Sequence, residues 1–267
     1  MKKVIFFLLT ITLFSCKNKD QNDPGKGGVQ MPEGPKNMSY SIATSYPHDT
    51  SSFTQGLIIY NGSMYESTGR ESNNLNKIMK VDMKTGKIER SVSIDKKYFG
   101  EGIAILRDTV YQLTWQEKTV FVYTLNDFKK IKEFQINTEG WGLTTDGKEL
   151  ILSDGTSNLY FYDPTTFRLL RIQEVTEAGS LSHNLNELEY IDGFVYANQW
   201  QYNYILKIDP SSGIVVAKAD LTDLVNRVHA KDPQAEFLNG IAYDAASKKI
   251  YVTGKLWPEL YEIQFGQ

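Results

Sequence analysis

The stretch Gln55–Gly69, with the sequence QGLIIYNGSMYESTG, decides the fold of this 267-residue chain. It has the pattern of two β-strands joined by Asn61-Gly62, a dipeptide typical of tight hairpins. Its opening triplet recurs at intervals of 40 to 53 residues, as Gln55-Gly56-Leu57, Glu101-Gly102-Ile103, Trp141-Gly142-Leu143, Asn186-Glu187-Leu188 and Asn239-Gly240-Ile241. Each triplet leads into a unit of three or four short apolar runs. Repeats of about 45 residues with four strands are typical of β-propeller blades.

The repeat predicts five blades in one domain, residues 38–267. The fifth unit ends at its third strand, Leu260–Phe265, so one strand is missing there. Ser39–Thr44 alternates in polarity as a strand does, and we expect it to fill that place. Joining the two ends in one blade removes an open sheet edge. We therefore predict an all-β fold, a five-bladed β-propeller whose ring is closed by an N-terminal strand in the last blade.

Composition excludes several other classes of protein. Hydrophobic residues make up 41% of the chain and aromatic residues 12%, which favours β-structure over disorder. A formal net charge of −3 provides no basic field for nucleic acid. A single cysteine excludes an intrachain disulfide, and three histidines without further thiols argue against a structural zinc site. His48, His183 and His229 have loop-like contexts, and we expect them at the surface.

The first residues predict a lipoprotein leader. Residues 1–15 combine a positive start with the apolar run Val4–Phe14, which is too short to span a bilayer. They end in Leu13-Phe14-Ser15-Cys16, which resembles a bacterial lipobox; the alternative is an ordinary signal peptide followed by a chance cysteine. We expect lipidation at Cys16, a flexible tether over 16–37, and a monomeric protein anchored in the cell envelope, facing the periplasm or the outside.

The propeller geometry indicates which distant residues converge. The first positions of the five triplets, and the residues that leave each second strand, should gather at one end of the central channel. All four tryptophans, Trp115, Trp141, Trp200 and Trp257, occupy such positions. This predicts an aromatic-walled pocket for a small, partly apolar ligand, although packing between blades would also favour aromatic residues there.

Charged residues in the same positions suggest chemistry. Burial of Glu101 among aromatic rings would raise the pKa of its carboxyl toward the range useful for proton transfer. Lys255 supplies one positive charge, and a catalytic role and a salt bridge are equally compatible with the sequence. Glu187 and Glu189 lie two residues apart in one strand, and we expect at least one of them to point into its sheet.

Seven motifs carry a family resemblance. They are Phe53-Thr54-Gln55-Gly56-Leu57, Phe99-Gly100-Glu101-Gly102, Leu113-Thr114-Trp115, Glu139-Gly140-Trp141-Gly142-Leu143, Leu185-Asn186-Glu187-Leu188-Glu189-Tyr190, Leu238-Asn239-Gly240-Ile241-Ala242-Tyr243 and Thr253-Gly254-Lys255-Leu256-Trp257-Pro258. Together they resemble the glutamine cyclotransferase family of plants and bacteria, across all five units. The resemblance implies a metal-independent and cofactor-free enzyme that cyclises the N-terminal Gln of peptides or proteins to pyroglutamate with release of ammonia.

The same resemblance implies the pocket residues. They are Phe53, Gln55, Phe99, Glu101, Trp115, Trp141, Asn186, Trp200 and Lys255. Within this set, Glu101 can take the proton of the amine and deliver it to the departing ammonia. Gln55, Asn186 and Lys255 are candidates to hold the amide and stabilise the developing oxyanion. The stretch Gly69–Asn76 departs from the family pattern. The resemblance therefore implies nothing about the loop that follows the second strand of the first unit, or about preferences beyond the glutamine.

Two other classes of function remain compatible with the sequence. A metal-dependent lactonase or esterase on a propeller could use Glu101, Asn186, Glu187 and Asn239 as calcium ligands. A propeller without catalytic activity could bind peptides in the same pocket. Sensitivity to chelators separates the first class from a cyclotransferase, and absence of ammonia release separates the second.

The leader yields a direct test of anchoring. Because lipidation requires the Cys16 thiol, Cys16→Ser should release the protein from membranes or leave its precursor unprocessed. Detergent phase partitioning measures the membrane-bound fraction. Membrane association equal to that of the unaltered protein would contradict the lipoprotein prediction.

Overall fold

The computed structural model describes residues 33–69 and 76–266. The predicted leader, Cys16 and most of the tether lie outside these residues, as does most of the loop that departs from the family pattern. Within the described ranges, no helix is both long and apolar enough to cross a membrane.

Five four-stranded antiparallel arrangements follow one another along the chain. Two strands come first in the chain, β1 (Lys36–Asn37) and β2 (Tyr40–Pro47), and β2 is the fourth strand of blade 5. Blade 1 comprises β3 (Thr54–Tyr60), β4 (Ser63–Thr68), β5 (Lys77–Asp82) and β6 (Lys87–Ser93). Blade 2 comprises β7 (Gly100–Leu106), β8 (Thr109–Thr114), β9 (Thr119–Thr124) and β10 (Lys130–Gln135). Blade 3 comprises β11 (Leu143–Thr145), β12 (Leu150–Ser153), β13 (Asn158–Tyr162) and β14 (Leu169–Glu174).

A short hairpin and one helix interrupt the series of blades. The hairpin, β15 (Thr176–Glu177) and β16 (Ser180–Leu181), leads into blade 4. Blade 4 comprises β17 (Leu185–Ile191), β18 (Phe194–Gln199), β19 (Tyr204–Ile208) and β20 (Val215–Asp220). The helix α1 (Thr222–Lys231) then connects to blade 5, with β21 (Leu238–Asp244), β22 (Lys249–Gly254) and β23 (Glu259–Phe265). The predicted five-bladed propeller is confirmed.

Strand β2 closes the ring, as predicted. It pairs antiparallel with β23, from Tyr40 opposite Phe265 to Pro47 opposite Glu259, and so completes blade 5. The strand is longer than the expected Ser39–Thr44. The N-terminal segment also pairs with the domain before β2 begins, since β1 lies parallel to β20 at the edge of blade 4. Lys36 and Asn37, which we assigned to the tether, therefore contact the domain.

The glycine of the repeated triplet is required by the approach of neighbouring blades. A Cβ atom on Gly56 would lie 2.6 Å from the backbone nitrogen of Ile103, and one on Gly102 would lie 2.5 Å from that of Leu143. The backbone of the following blade occupies the space that any other side chain needs. Close packing of the innermost strands around the channel thus explains why Gly recurs at this position.

Blade 4 carries Glu187 where the other blades carry glycine, and this side chain joins three blades. Its two carboxylate oxygens accept hydrogen bonds from Leu57 N (3.1 Å) and Ile241 N (2.8 Å), in the innermost strands of blades 1 and 5. Glu189 accepts from Tyr243 N (2.8 Å) and Thr144 Oγ1 (3.3 Å). Our expectation that at least one of them points into the sheet rather than the channel is wrong, because both carboxylates reach the innermost strands of other blades.

Burial raises the pKa of both carboxyls. The pKa of Glu187 lies well above its usual range because of burial and the nearby Glu189. The hydrogen bonds from the backbone of Leu57 and Ile241 lower this pKa and offset part of the rise. Burial raises the pKa of Glu189 to about 8. These groups link the inner strands of the ring and hold no position in the pocket described below.

The core also contains Trp257, which the sequence placed elsewhere. Trp257, expected at the channel end, is completely buried in the cluster that contains α1, and its Nε1–H donates to Glu236 O (2.9 Å). The reason is local, since Leu256 adopts a left-handed φ of +61° and reverses the chain after Lys255. Helix α1 was not expected, although Leu224, Val225 and Val228, which form its buried face, have helical spacing.

The prediction of a surface position for His48 is also wrong. His48 is buried; its Nδ1–H donates to Trp257 O (2.7 Å), and Nε2 lies 3.3 Å from Glu66 Oε1. Burial alone would lower the pKa of His48, but the Glu66 carboxylate and the Trp257 carbonyl raise it above its ordinary value. His183 and His229 are exposed, as expected.

The closing strand should dominate the stability of the ring. Deleting residues 1–46 removes β1 and nearly all of β2 and exposes the edge of β23, whereas deleting 1–32 leaves every described strand intact. We expect the longer deletion to lower Tm by more than about 10 °C, a loss of about 3 kcal/mol or more in a domain of this size. Thermal unfolding followed by circular dichroism compares the two proteins, and equal Tm values would contradict the role of β2.

Candidate active site

A cavity of about 330 Å³ lies where the innermost strands begin, and eleven of the described residues line it. They are Phe53, Gln55, Phe99, Glu101, Trp115, Trp141, Asn186, Trp200, Glu236, Phe237 and Lys255. The structure brings together all nine pocket residues predicted from the sequence. Glu236 and Phe237 are additional.

The repeat contained a signal for one of the missed residues. Phe237 lies two positions before Asn239, as Phe53 lies two before Gln55 and Phe99 two before Glu101. The same register therefore places an aromatic ring at the pocket in blades 1, 2 and 5. Glu236 has no such signal, because it becomes a lining residue through the turn between α1 and β21.

Aromatic rings form two walls in edge-to-face contact. On one side the ring centroids of Phe53 and Phe99 are 6.3 Å apart, and those of Phe99 and Trp115 are 5.8 Å apart. On the other side Trp141 and Trp200 are 5.5 Å apart, and Trp200 and Phe237 are 6.3 Å apart. Such pairs hold one another's orientation and add to the stability that burial provides. The pocket therefore has rigid, apolar sides.

One carboxylate joins the two walls. Glu139 Oε2 accepts hydrogen bonds from Trp115 Nε1 (2.7 Å) and from Trp141 Nε1 (3.0 Å). The ring of Trp141 packs against Gly155, where a Cβ atom would lie 2.7 Å from Cζ2 of the indole. Gly155 also adopts a φ of +80°, which other residues rarely adopt. The position of Trp141 thus depends on a polar anchor and on a glycine.

Four polar residues from four blades form the floor of the pocket. Gln55, Glu101, Asn186 and Lys255 are each 5% exposed or less. Gln55, Glu101 and Asn186 lie in the innermost strands β3, β7 and β17, and Lys255 directly follows β22. Their convergence follows from the ring, since each occupies an equivalent end of its blade.

A chain of hydrogen bonds orients the amide of Gln55. The carbonyl of Thr54 can only accept, so the Nδ2 group of Asn239 donates to it (2.9 Å) and also to Gln55 Oε1 (3.2 Å). Gln55 must then direct its own NH₂ group toward Glu101, where Nε2 donates to Oε1 over 3.1 Å. Asn239 thus positions Gln55, and Gln55 holds the carboxylate.

The environment of Glu101 favours its protonated form. Burial raises the pKa of Glu101 well above its usual range; the positive charge of Lys255 opposes this, and the carboxylates of Glu139 and Glu117 add to it. A carboxyl whose pKa is raised toward neutrality can both accept and donate a proton under ordinary conditions.

Lys255 and Asn186 present polar groups that make no hydrogen bond with another described side chain. Burial lowers the pKa of Lys255, and the carboxylates of Glu101 and Glu236 offset part of that decrease. Its Nζ lies 4.5 Å from the centroid of the Phe53 ring, and among the described residues it makes no side-chain hydrogen bond or ion pair. Asn186 Oδ1 is likewise buried without a hydrogen-bond partner in that part of the chain. A buried donor and acceptor without partners are suited to a polar ligand.

The predicted calcium ligands do not form one cluster. Glu101 and Asn186 line the pocket, but Glu187 directs both oxygens to backbone N–H groups of other blades, and Asn239 donates to Thr54 and Gln55. Within residues 33–69 and 76–266, no group of three or more His, Cys, Asp or Glu side chains is placed to hold a metal ion.

Comparison with known proteins gives consistent results. The family model described as glutamine cyclotransferase matches residues 7–265. A glutaminyl-peptide cyclotransferase of Arabidopsis thaliana is 40% identical over 229 residues, which cover 85% of this chain and 71% of that protein. The crystal structure of Myxococcus xanthus glutaminyl cyclase superposes with a TM-score of 0.81 at 34% identity, over 86% of this chain and 98% of that one.

The coupling between the two buried charges can be measured. Lys255→Met keeps an unbranched side chain but removes the charge that favours the carboxylate, so the pKa of Glu101 should rise further. Infrared difference spectra of the protonated carboxyl, assigned with Glu101→Gln, report its titration. The exposed Lys148→Met is the matched control. A Glu101 titration that Lys255→Met leaves in place, or moves to lower pH, would contradict this coupling.

Proposed function

Because the chain belongs to the glutamine cyclotransferase family, we propose that it cyclises the N-terminal glutamine of peptides and proteins to pyroglutamate, with release of ammonia, by acid–base catalysis on Glu101 and without a metal ion. The enzyme is an acyltransferase of the glutaminyl-peptide cyclotransferase class. The observation that carries the mechanism is a buried carboxyl, Glu101, at the floor of an aromatic pocket, beside the Lys255 cation, which makes no hydrogen bond or ion pair with any described side chain.

The pocket is suited to one glutamine residue. Its methylene groups pack between the rings of Phe53, Phe99, Trp115 and Trp200, while its amide and α-amine reach the polar floor. The two reacting groups belong to one molecule, so the enzyme needs only to hold the folded conformation in which the amine faces the amide carbon. Positioning of this kind supplies a large part of the acceleration in intramolecular reactions.

The amine must lose a proton before it can attack. A peptide α-amine has a pKa of about 7.7 to 8.0 in water, so it enters largely as ammonium. Burial among aromatic rings disfavours the charged form and lowers that pKa, while burial raises the pKa of Glu101. The two values thus approach one another, and a proton can pass from the ammonium to the carboxylate with little cost.

The remaining steps balance in atoms and charge. The free amine attacks the amide carbon, a C–N bond forms, and the carbonyl becomes an oxyanion. Protonated Glu101 donates its proton to the amide nitrogen, the original C–N bond breaks and the carbonyl re-forms. The surplus proton of the ring nitrogen leaves with ammonia as ammonium, and Glu101 is again a carboxylate.

The other floor residues have separate roles in this scheme. Lys255 stabilises the oxyanion, because its Nζ faces the cavity and has no other hydrogen-bond or ion-pair partner among the described residues. Asn186 Oδ1, also unpartnered there, accepts an N–H of the substrate amine or amide. Gln55 holds the Glu101 carboxylate through the hydrogen bond described above.

Attachment to a membrane determines where the enzyme meets these substrates. We propose that lipidated Cys16 holds the enzyme in the cell envelope, so that peptides and secreted proteins with N-terminal Gln reach it there. The support is the leader sequence alone, with its apolar run and the single cysteine that follows it.

Replacement of Glu101 tests the mechanism. Glu101→Gln keeps the volume, and its amide oxygen can still accept the Gln55 N–H, but it cannot carry the proton. Acid–base catalysis contributes about 10²- to 10⁴-fold, so kcat should fall by that factor while KM changes little. Release of ammonia and the mass of the product, followed with a Gln-initiated dipeptide in the presence of a chelator, measure the reaction.

Controls separate the parts of the proposal. Glu133→Gln, at an exposed position on β10, should match the unaltered protein. Circular dichroism establishes that each variant is folded. A folded Glu101→Gln protein that keeps more than about a third of kcat would exclude the proposed proton transfer. Loss of activity in the chelator, restored by a divalent cation, would contradict metal independence.

A further inference from the structure

Glu236 and Phe237 line the cavity at its mouth, whereas the polar floor is deeply buried. Phe237 is 39% exposed and Glu236 is half-buried, while the four floor residues are 5% exposed or less. Both precede β21 and belong to the turn that follows α1. The mechanism above assigns them no role.

The backbone of this turn is fixed, so its side chains have defined positions. Glu236 N donates to Lys255 O (2.8 Å), and Lys255 N donates to Phe237 O (2.9 Å). The indole of Trp257 donates to Glu236 O (2.9 Å). The turn is thereby held against the segment that carries Lys255.

The carboxylate of Glu236 differs from the other carboxylates near the pocket. Glu139 accepts from two tryptophan N–H groups, and Glu117 Oε2 accepts from Phe99 N (3.1 Å). Glu236 makes no side-chain hydrogen bond or ion pair with any described residue. Its charge does influence Lys255, whose pKa it raises, so it lies near the substrate-binding floor. An accessible charge without a partner remains available to a ligand.

Among the described lining residues, the charged side chain at the mouth is negative. Glu236 is the carboxylate that lines the cavity there, whereas the cation of the described lining, Lys255, is at the floor and 4% exposed. A positive group approaching the mouth is therefore attracted.

We infer that Glu236 and Phe237 form a subsite for the second residue of the substrate and favour Lys or Arg there. The inference rests on the proposed function, since a glutamine whose amine and amide reach the floor directs the rest of its peptide out through the mouth. The long stem of Lys or Arg packs on the Phe237 ring, which contacts Trp200 at 6.3 Å, and its charge reaches the Glu236 carboxylate. A second-residue Asp or Glu is repelled by the same group.

Matched peptides test the subsite. The kcat/KM values of Gln-Arg, Gln-Ala and Gln-Glu peptides of equal length are compared for the unaltered protein, Glu236→Gln, Glu236→Lys and the exposed control Glu133→Gln. We expect a preference for Arg over Glu of about twofold to fivefold at low salt, carried by KM and reduced at high salt, the size that partly exposed ion pairs give. Glu236→Gln should abolish this preference, Glu236→Lys should invert it, and Glu133→Gln should retain it.

The ratio between peptides makes the outcomes distinguishable. Any effect of Glu236 on Lys255 changes all three peptides together and cancels in the ratio. Cyclisation of all peptides without a preference for Arg would overturn the subsite and leave the proposed function intact. A preference that Glu236→Gln does not change would also overturn it. Absence of cyclisation with every peptide would instead count against the proposed function.

Discussion

The structure depends on the close approach of the five innermost strands around the channel. At Gly56 and Gly102 the backbone of the next blade occupies the place of a side chain, so these strands meet at distances that only glycine permits. Register shifts in the same strands, such as those at Gly100/Ile103 and Leu185/Leu188, alter the direction of the preceding residues. The residue before the glycine, or before Glu187 in blade 4, lies at one end of the channel, and these five residues converge although 40 or more residues separate them in the chain.

The same ring places buried carboxylates in two different roles. Glu187 and Glu189 meet backbone N–H groups from other blades, which satisfies their oxygens and joins the inner strands. Glu101 meets the amide of Gln55 and an open cavity. Burial raises the pKa of all three, so the pKa alone does not distinguish a structural group from a chemical one. The distinction is that a ligand can reach Glu101.

Closure of the ring and placement of Lys255 are connected. After β2, the chain crosses from blade 5 to blade 1 and passes the turn that follows β22. His48 donates to Trp257 O (2.7 Å), and Ser52 O accepts from Leu256 N (2.8 Å). These contacts support the left-handed residue Leu256, and hence the position of its neighbour Lys255. The strand that completes the last blade therefore leads directly into one support of the pocket.

The sequence by itself determined the number of blades and the strand that closes them, because in a repeat protein the register of the repeat is also the position in space. Its family resemblance implied nine of the eleven described residues that line the pocket. Only the tertiary structure decided which equivalent residues face the cavity. Trp257 comes from the same end of its blade as Trp200, yet the left-handed Leu256 turns it into the core. The buried His48 donates a hydrogen bond to a carbonyl 209 residues away, and the buried Glu187 accepts hydrogen bonds from backbone N–H groups of two other blades. Such partners lie outside any local pattern, so their effect on a side chain appears only when the ring is assembled.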